Sequence, residues 1–183
     1  MAYTVCTFPL YLTRRTPPRM RIYLTGFMGS GKSTVGKQLA ADLDWPFVDT
    51  DDWIEGQIGM RIPQYFSQHG EAAFREREAD ALQATAAHPR AVVATGGGML
   101  VDTTRMQRAS ELGTVVYLHV DVDTLYQRLA PDAEHRPLLW DDDGTPLTGN
   151  DLRRHIATLL EARAPAYERA SVQIDATASP DEV

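Results

Sequence analysis

The segment Gly26-Phe27-Met28-Gly29-Ser30-Gly31-Lys32-Ser33 decides the fold class, because its spacing of Gly, Lys and Ser is that of a phosphate-binding loop. Residues 21–25 form a short β-rich run before it, and Val35, Leu39 and Leu43 recur at helical spacing after it. Glycines let consecutive backbone N–H groups turn around a polyanion, and the helix dipole adds positive charge at the same point. The sequence therefore predicts a strand, a nucleotide-binding loop and a helix in succession.

The polar residues of this loop have distinct predicted contacts with a nucleoside triphosphate. Lys32 is expected to reach the β- and γ-phosphates, the Ser33 hydroxyl to ligate Mg²⁺, and Thr34 to bond the α-phosphate. The residues predicted to bind the nucleotide through this loop are Gly29, Ser30, Gly31, Lys32, Ser33 and Thr34.

Acidic residues follow the next apolar run, residues 47–48. Side chains alternate along a strand, so Asp49 and Asp51 are predicted to point the same way. Beside a bound triphosphate, Asp49 can hold Mg²⁺ through water, and Asp51 can accept a hydrogen bond from a substrate hydroxyl and take its proton. The alternative is that these acids only cap the following helix, which is the interpretation favoured for Asp52.

Apolar runs that alternate with helical patterns predict an α/β fold. Because the runs are apolar throughout, they indicate a parallel sheet with helices on both faces, whose ligands bind at the carboxyl ends of the strands. The predicted strands are residues 21–25, 47–48, 91–95, 114–120 and 171–175, and a helix is predicted for residues 71–87. Three prolines and three consecutive aspartates in residues 131–148 predict a mobile loop.

Length and composition limit the classes of function. The 183 residues predict one domain, and the net charge of −7 argues against a nucleic-acid partner. The single cysteine excludes an internal disulfide, and no apolar run approaches the length of a membrane helix. Because the sequence has one cysteine and no recognisable export signal, a cytoplasmic protein is expected. Residues 1–19 are predicted to be a disordered extension, with Met20 a natural start, and residues 179–182 carry a helix-start signal.

From about Met20 to Ile174 the chain resembles the shikimate kinases. The likeness rests on the order of several motifs, of which the phosphate-binding loop is generic and the others are specific. These motifs are Gly26–Thr34, Asp49-Thr50-Asp51, Gly70-Glu71-Ala72-Ala73-Phe74-Arg75-Glu76-Arg77-Glu78, Ala94-Thr95-Gly96-Gly97-Gly98, Arg136-Pro137-Leu138-Leu139 and Arg163-Ala164-Pro165-Ala166-Tyr167.

The resemblance implies transfer of the ATP γ-phosphoryl group to the 3-hydroxyl of shikimate, on the path to chorismate. It implies a P-loop fold of the nucleoside-monophosphate-kinase type, with residues 20–183 as a single domain, a substrate sub-domain at about 50–81 and a lid at about 131–148. ATP and Mg²⁺ are the implied cofactors, and a monomer is expected.

The resemblance also implies roles for individual residues. Lys32, Asp51 and Arg136 are the implied catalytic residues, and Arg136 and Arg128 are also implied to contact the nucleotide. Ser33 and Asp49 are the implied metal ligands. The implied shikimate contacts are Asp51, Arg75, Gly96, Gly97, Gly98 and Arg163, with Arg75 and Arg163 on the carboxylate and Pro165 one step after a helix end.

Each of these assignments has a plainer alternative. Arg75 can pair with Glu71 or Glu78 at helical spacing. Arg163 can be a helix C-terminal arginine that is favoured by the helix dipole, and the glycines at 96–98 can form a flexible turn. At the level of function, the alternatives are another small hydroxy-acid kinase such as a gluconate kinase, and a non-catalytic binding domain on the same fold.

Overall fold

The computed structural model describes residues 20–178 and contains the parallel five-stranded sheet that the sequence predicts. The strands are β1 (Met20–Thr25), β2 (Phe47–Asp49), β3 (Arg90–Ala94), β4 (Thr114–His119) and β5 (Val172–Asp175). Their spatial order is β2-β3-β1-β4-β5, and every adjacent pair is parallel. The predicted extension at residues 1–19 and the helix-start signal at 179–182 lie outside the described residues.

Helices connect the strands and cover the sheet. They are α1 (Lys32–Leu43), α2 (Thr50–Ile58), α3 (Ile62–Ala84), α4 (Thr103–Leu112), α5 (Val122–Leu129) and α6 (Gly149–Tyr167). Across residues 20–178, no helix combines the length and the apolar character needed to cross a membrane.

The central position of β1 determines where the functional segments meet. Ile22 of β1 lies opposite Val92 of β3 on one side and Thr114 of β4 on the other. Tyr23 on the same strand is fully buried, as expected for a sheet packed on both faces. Because β1, β2 and β3 are parallel neighbours, the segments that follow them meet at one edge of the sheet.

One prediction about helix limits is wrong, and another agrees closely with the structure. The helix predicted for residues 71–87 corresponds to the part of α3 that follows a break at Gly70, whose φ of 77° and ψ of 178° are not helical, and to the 3₁₀ turn Thr85–Ala87 after it. The sequence did not predict the helical residues that α3 has before the break. Pro165 does not follow a helix end, because α6 continues to Tyr167. Proline removes only its own N–H donor here, and near the end of a helix this loss is local.

The predicted loop at residues 131–148 has more local structure than its proline content indicates. Short 3₁₀ turns span Ala130–His135 and Pro137–Leu139, and Trp140 forms an isolated antiparallel bridge with Pro146. Leu139 is fully buried and anchors the segment to the core. The segment is therefore attached to the core at Leu139 and is not an unstructured loop along its whole length.

Candidate active site

The phosphate-binding loop has the backbone that its glycines permit. Gly26, Gly29 and Gly31 have φ values of 142°, 77° and 92°, in the region that side-chain-bearing residues rarely adopt. A Cβ on Gly26 would also lie 2.7 Å from the Leu118 carbonyl oxygen of β4. The loop therefore needs glycine at Gly26 for two reasons, backbone conformation and close packing.

The Lys32 ammonium lies inside the loop. Its Nζ donates to the carbonyl oxygens of Gly26 and Phe27, at 2.9 and 2.8 Å. Burial lowers the pKa of Lys32 to about 8, while the charges of Asp51 and Asp49 act in the opposite direction. The positive charge is thus held within the cradle by backbone oxygens and by carboxylates nearby.

Asp49 ends β2 and contacts two elements at once. Its Oδ1 accepts from the Asp51 backbone N–H at 3.0 Å and so caps α2, as the alternative interpretation proposed. Its Oδ2 accepts from the Ser33 hydroxyl at 2.7 Å. Capping and proximity to the phosphate-binding loop therefore involve different oxygens of the same carboxylate.

Asp51 lies in the first turn of α2, so the prediction that it shares a strand face with Asp49 is wrong. The chain turns helical at Thr50 because Asp49 supplies the cap. Burial raises the pKa of Asp51 to about 6, with Asp49 adding to the increase and Lys32 opposing it. A carboxylate with this pKa is ionised at neutral pH but accepts a proton readily.

The three glycines after β3 each pack against a different part of the site. A Cβ on Gly96 would lie 2.5 Å from Asp51 Oδ1, and one on Gly97 would lie 3.4 Å from the Met28 backbone nitrogen of the phosphate-binding loop. A Cβ on Gly98 would lie 3.3 Å from Arg75 Nη1. These glycines bring the loop, the carboxylate and the arginine to one place.

Arg75 is held by two carboxylates, as its helical spacing indicated. Its Nη2 lies 2.9 Å from Glu71 Oε1, and its Nη1 lies 2.8 Å from Glu78 Oε2. The Glu78 side chain is 2% exposed and that of Glu71 is 65% exposed. Glu78 is thus the fixed partner, whereas Glu71 can leave at small cost.

Arg163 and Arg136 both lie near the Lys32 ammonium, and their charges lower its pKa. The Arg163 guanidinium lies 5.8 Å above the Phe27 ring. Arg136 pairs with Asp132 at 3.0 Å, and its Nε is buried without a hydrogen-bond partner among residues 20–178. The two arginines therefore extend the positive charge around the loop.

Arg128 contacts backbone carbonyl groups from two segments. It donates to Gly29 O at 3.3 Å and to Ala176, Thr177 and Ala178 O at 3.1, 3.2 and 3.0 Å. This position ties the phosphate-binding loop to the chain after β5. The predicted contact with adenine stays a prediction.

Several residues around the site were missed by the sequence analysis. Thr50 accepts from the Gly96 N–H at 2.9 Å, and Arg105 donates to the Met99 carbonyl at 2.8 Å while lying 3.6 Å from Glu78. The Tyr167 hydroxyl donates to the Gly97 carbonyl at 2.6 Å. Thr50 and Tyr167 carried a signal as members of quoted motifs, whereas Arg105 belongs to none of them.

Candidate metal ligands are restricted to oxygen. In the described part of the chain, no three His, Cys, Asp or Glu residues form a group that could hold a metal ion. The adjacent Ser33 hydroxyl and Asp49 carboxylate nevertheless suit Mg²⁺, which prefers oxygen ligands and retains water when it binds beside phosphates.

Comparisons with known proteins agree with the arrangement. The shikimate kinase family model matches residues 28–183. A shikimate kinase from Salinibacter ruber is 48% identical over 175 residues, which are 96% of this chain and 86% of the relative. The structure of an Acinetobacter baumannii shikimate kinase in complex with shikimate is 34% identical, with a TM-score of 0.75 and 89% coverage of each chain. A gluconokinase from Sinorhizobium meliloti 1021, at 20% identity and a TM-score of 0.54 over 91% of this chain and 87% of its own, shares the fold alone.

Proposed function

The chain belongs to the shikimate kinase family, and from this premise we propose that it transfers the γ-phosphoryl group of ATP to the 3-hydroxyl of shikimate. The observation that carries this proposal is the packing of the glycines at 96–98. Within three residues they meet the phosphate-binding loop, the Asp51 carboxylate and the Arg75 guanidinium. A phosphate donor and a small carboxylic acid bound at these groups would be neighbours, as group transfer requires.

On the nucleotide side, the proposal assigns the phosphates to the backbone N–H groups of Gly29–Thr34 and to Lys32. Lys32 exchanges its bonds to the Gly26 and Phe27 carbonyls for phosphate oxygens. Ser33 and Asp49 would hold Mg²⁺, which supplies positive charge to the phosphates when bound. Arg128 is assigned to the adenine side.

On the substrate side, the proposal assigns the shikimate carboxylate to Arg75 and Arg163, because a planar guanidinium grips a carboxylate through two N–H groups. The N–H groups of Gly97 and Gly98 add donors to the same site. Asp51 faces the 3-hydroxyl. Its pKa of about 6 leaves it ionised at pH 7 and therefore able to accept the hydroxyl proton.

The bond between the shikimate 3-oxygen and the γ-phosphorus forms, the bond from that phosphorus to the β–γ bridging oxygen breaks, and the hydroxyl proton passes to Asp51. Lys32 and Arg136 stabilise the charge on the transferred group and on the ADP that leaves. Closure of residues 131–148 would place Arg136 over the phosphates and exclude water.

The proposal also includes features that family membership alone does not establish. Residues 20–183 act as one domain whose substrate sub-domain spans about 50–81, and the protein works as a monomer in the cytoplasm. The expected lack of a nucleic-acid partner rests on the net charge of −7.

A coupled assay of ADP release tests the activity, with shikimate as the sole acceptor. ADP release that depends on shikimate, that is absent with gluconate and other hydroxy acids, and that stops with EDTA and returns with added Mg²⁺ is the expected result. ADP release at the same rate without shikimate, or with gluconate in its place, would refute the proposed acceptor.

A further inference from the structure

The hydrogen bonds of the glycine loop, residues 96–98, show which of its backbone groups are free to meet a ligand. The Gly96 N–H donates to Thr50 Oγ1, the Gly96 carbonyl accepts from the Met99 N–H at 3.0 Å, and the Gly98 carbonyl accepts from the Val101 N–H at 3.3 Å. The Gly97 carbonyl is taken by Tyr167. Residues 20–178 provide no partner for the N–H groups of Gly97 and Gly98. All three carbonyls are therefore fixed, and two donors remain.

Tyr167 is well placed to act as a permanent donor to this loop. It lies at the last position of α6, is fully buried, and stacks on Tyr117 of β4 with ring centroids 5.3 Å apart. Its hydroxyl donates to the Gly97 carbonyl at 2.6 Å. Burial raises the pKa of Tyr167 to about 12, with Arg163 opposing the increase, so the phenol keeps its proton at any physiological pH.

We propose that Tyr167 is a positioning residue of the substrate site, whose hydroxyl orients the Gly97–Gly98 peptide so that the Gly98 N–H faces shikimate. The Gly97 carbonyl and the Gly98 N–H belong to one planar unit, and no peptide bond among residues 20–178 is cis. In a trans peptide these two groups point in opposite directions. Fixing the carbonyl on one side thus aims the N–H at the other.

The same helix carries Arg163, one turn before Tyr167. Tyr167 therefore links the helix that carries this arginine to the glycine loop, and both contribute to the proposed substrate site. This inference rests on the proposed function, because the ligand it concerns is shikimate.

The test replaces Tyr167 with phenylalanine, which removes the hydroxyl and keeps the buried ring. The matched control is Tyr117→Phe, which removes a hydroxyl from the stacked neighbour and likewise keeps the ring. Both variants are purified, their thermal unfolding is recorded, and the steady-state kinetics are measured by ADP release.

A neutral hydrogen bond of ordinary strength corresponds to about a two- to tenfold effect on binding. Tyr167→Phe is therefore expected to raise the shikimate KM by about that factor, with the ATP KM and kcat within about twofold of wild type. Tyr117→Phe is expected to leave the shikimate KM unchanged. This split would not arise from a merely structural role, which would lower Tm or impair both substrates together.

An unchanged shikimate KM in a folded Tyr167→Phe protein would overturn the inference, and so would an equal rise in both KM values. A wild-type enzyme that fails to phosphorylate shikimate would instead refute the proposed function. In that case, amide hydrogen exchange at residues 96–98 still tests the contact. Unchanged exchange in Tyr167→Phe would show that the hydroxyl does not hold the loop.

Discussion

Replacing Asp51 with asparagine should abolish most of the activity and at the same time stabilise the protein. The carboxylate is buried beside Asp49, and both effects raise its pKa from 3.8 to about 6. A proton is therefore bound more tightly in the folded than in the unfolded chain. The free energy of unfolding therefore decreases as pH rises from about 4 to about 6. Above pH 6 the folded protein carries the whole destabilisation that comes from the buried, ionised carboxylate. Asparagine has nearly the same shape and carries no charge, so it avoids the cost.

The magnitude follows from the displaced pKa. A shift from 3.8 to about 6 corresponds to about 3 kcal/mol at pH 8. At pH 4.5 it corresponds to about 1 kcal/mol, because the folded carboxyl is still protonated there while the unfolded one is already mostly ionised. For a chain of this size, about 3 kcal/mol corresponds to an increase in Tm of roughly 6–12 °C. Loss of the proton acceptor should reduce kcat by about 10²-fold or more.

Urea unfolding of wild type and Asp51→Asn at pH 8 and pH 4.5 measures the gain in stability. The ADP assay measures the loss of kcat. Asp52→Asn is the matched control, since Asp52 is the exposed neighbour on the same helical turn. A stability difference that does not shrink toward pH 4.5, or an Asp51→Asn kcat within a few-fold of wild type, would refute the reasoning. Wild-type activity should also fall at low pH, to about a tenth at pH 5.

Other substitutions test the substrate side. Arg75→Ala should raise the shikimate KM at least tenfold (about 1.4 kcal/mol) and leave the ATP KM nearly unchanged, and an equal effect on both would place Arg75 elsewhere. Gly96→Ala should lower kcat by about tenfold or more without unfolding the protein, because the added Cβ meets Asp51 at 2.5 Å; a normal kcat would contradict this. Glu71→Gln should lower the shikimate KM by about two- to fivefold, because the exposed Glu71 carboxylate no longer competes with the shikimate carboxylate for Arg75. Glu76→Gln is the control, and an unchanged KM in Glu71→Gln would show that Glu71 does not compete.

Much of the fold was predictable because its signals are local. The five apolar runs and the start of α1 at Lys32 follow from composition over a few residues. The position of Asp51 was mistaken because an acid two residues after a strand end fits either an extended chain or a helix start. The Asp49 cap and the acidic residues Asp51 and Asp52 in the first turn stabilise the helix, and they decide between the two conformations.

The contacts within the site were much less predictable. Glu78 lies among charged helix residues, where the sequence alone predicts a solvent-exposed side chain. In the structure that side chain is 2% exposed and faces Arg75 and Arg105. Arg128 contacts Gly29, which lies 99 residues away. Such contacts depend on which helix faces pack together, and no local pattern records that choice. Motifs therefore predicted candidate site residues, and only the structure showed which side chains and backbone groups they contact.

The central placement of β1 has a consequence for biosynthesis. Its two neighbours are β3, which begins at Arg90, and β4, which begins at Thr114, although β1 itself begins at Met20. A ribosome must therefore release more than half of the chain before the middle of the sheet can close. Until β3 is released, the phosphate-binding loop follows a strand that has no neighbouring strand, and until β4 is released that strand is paired on one side only. Unpaired apolar strands of this kind are prone to aggregate.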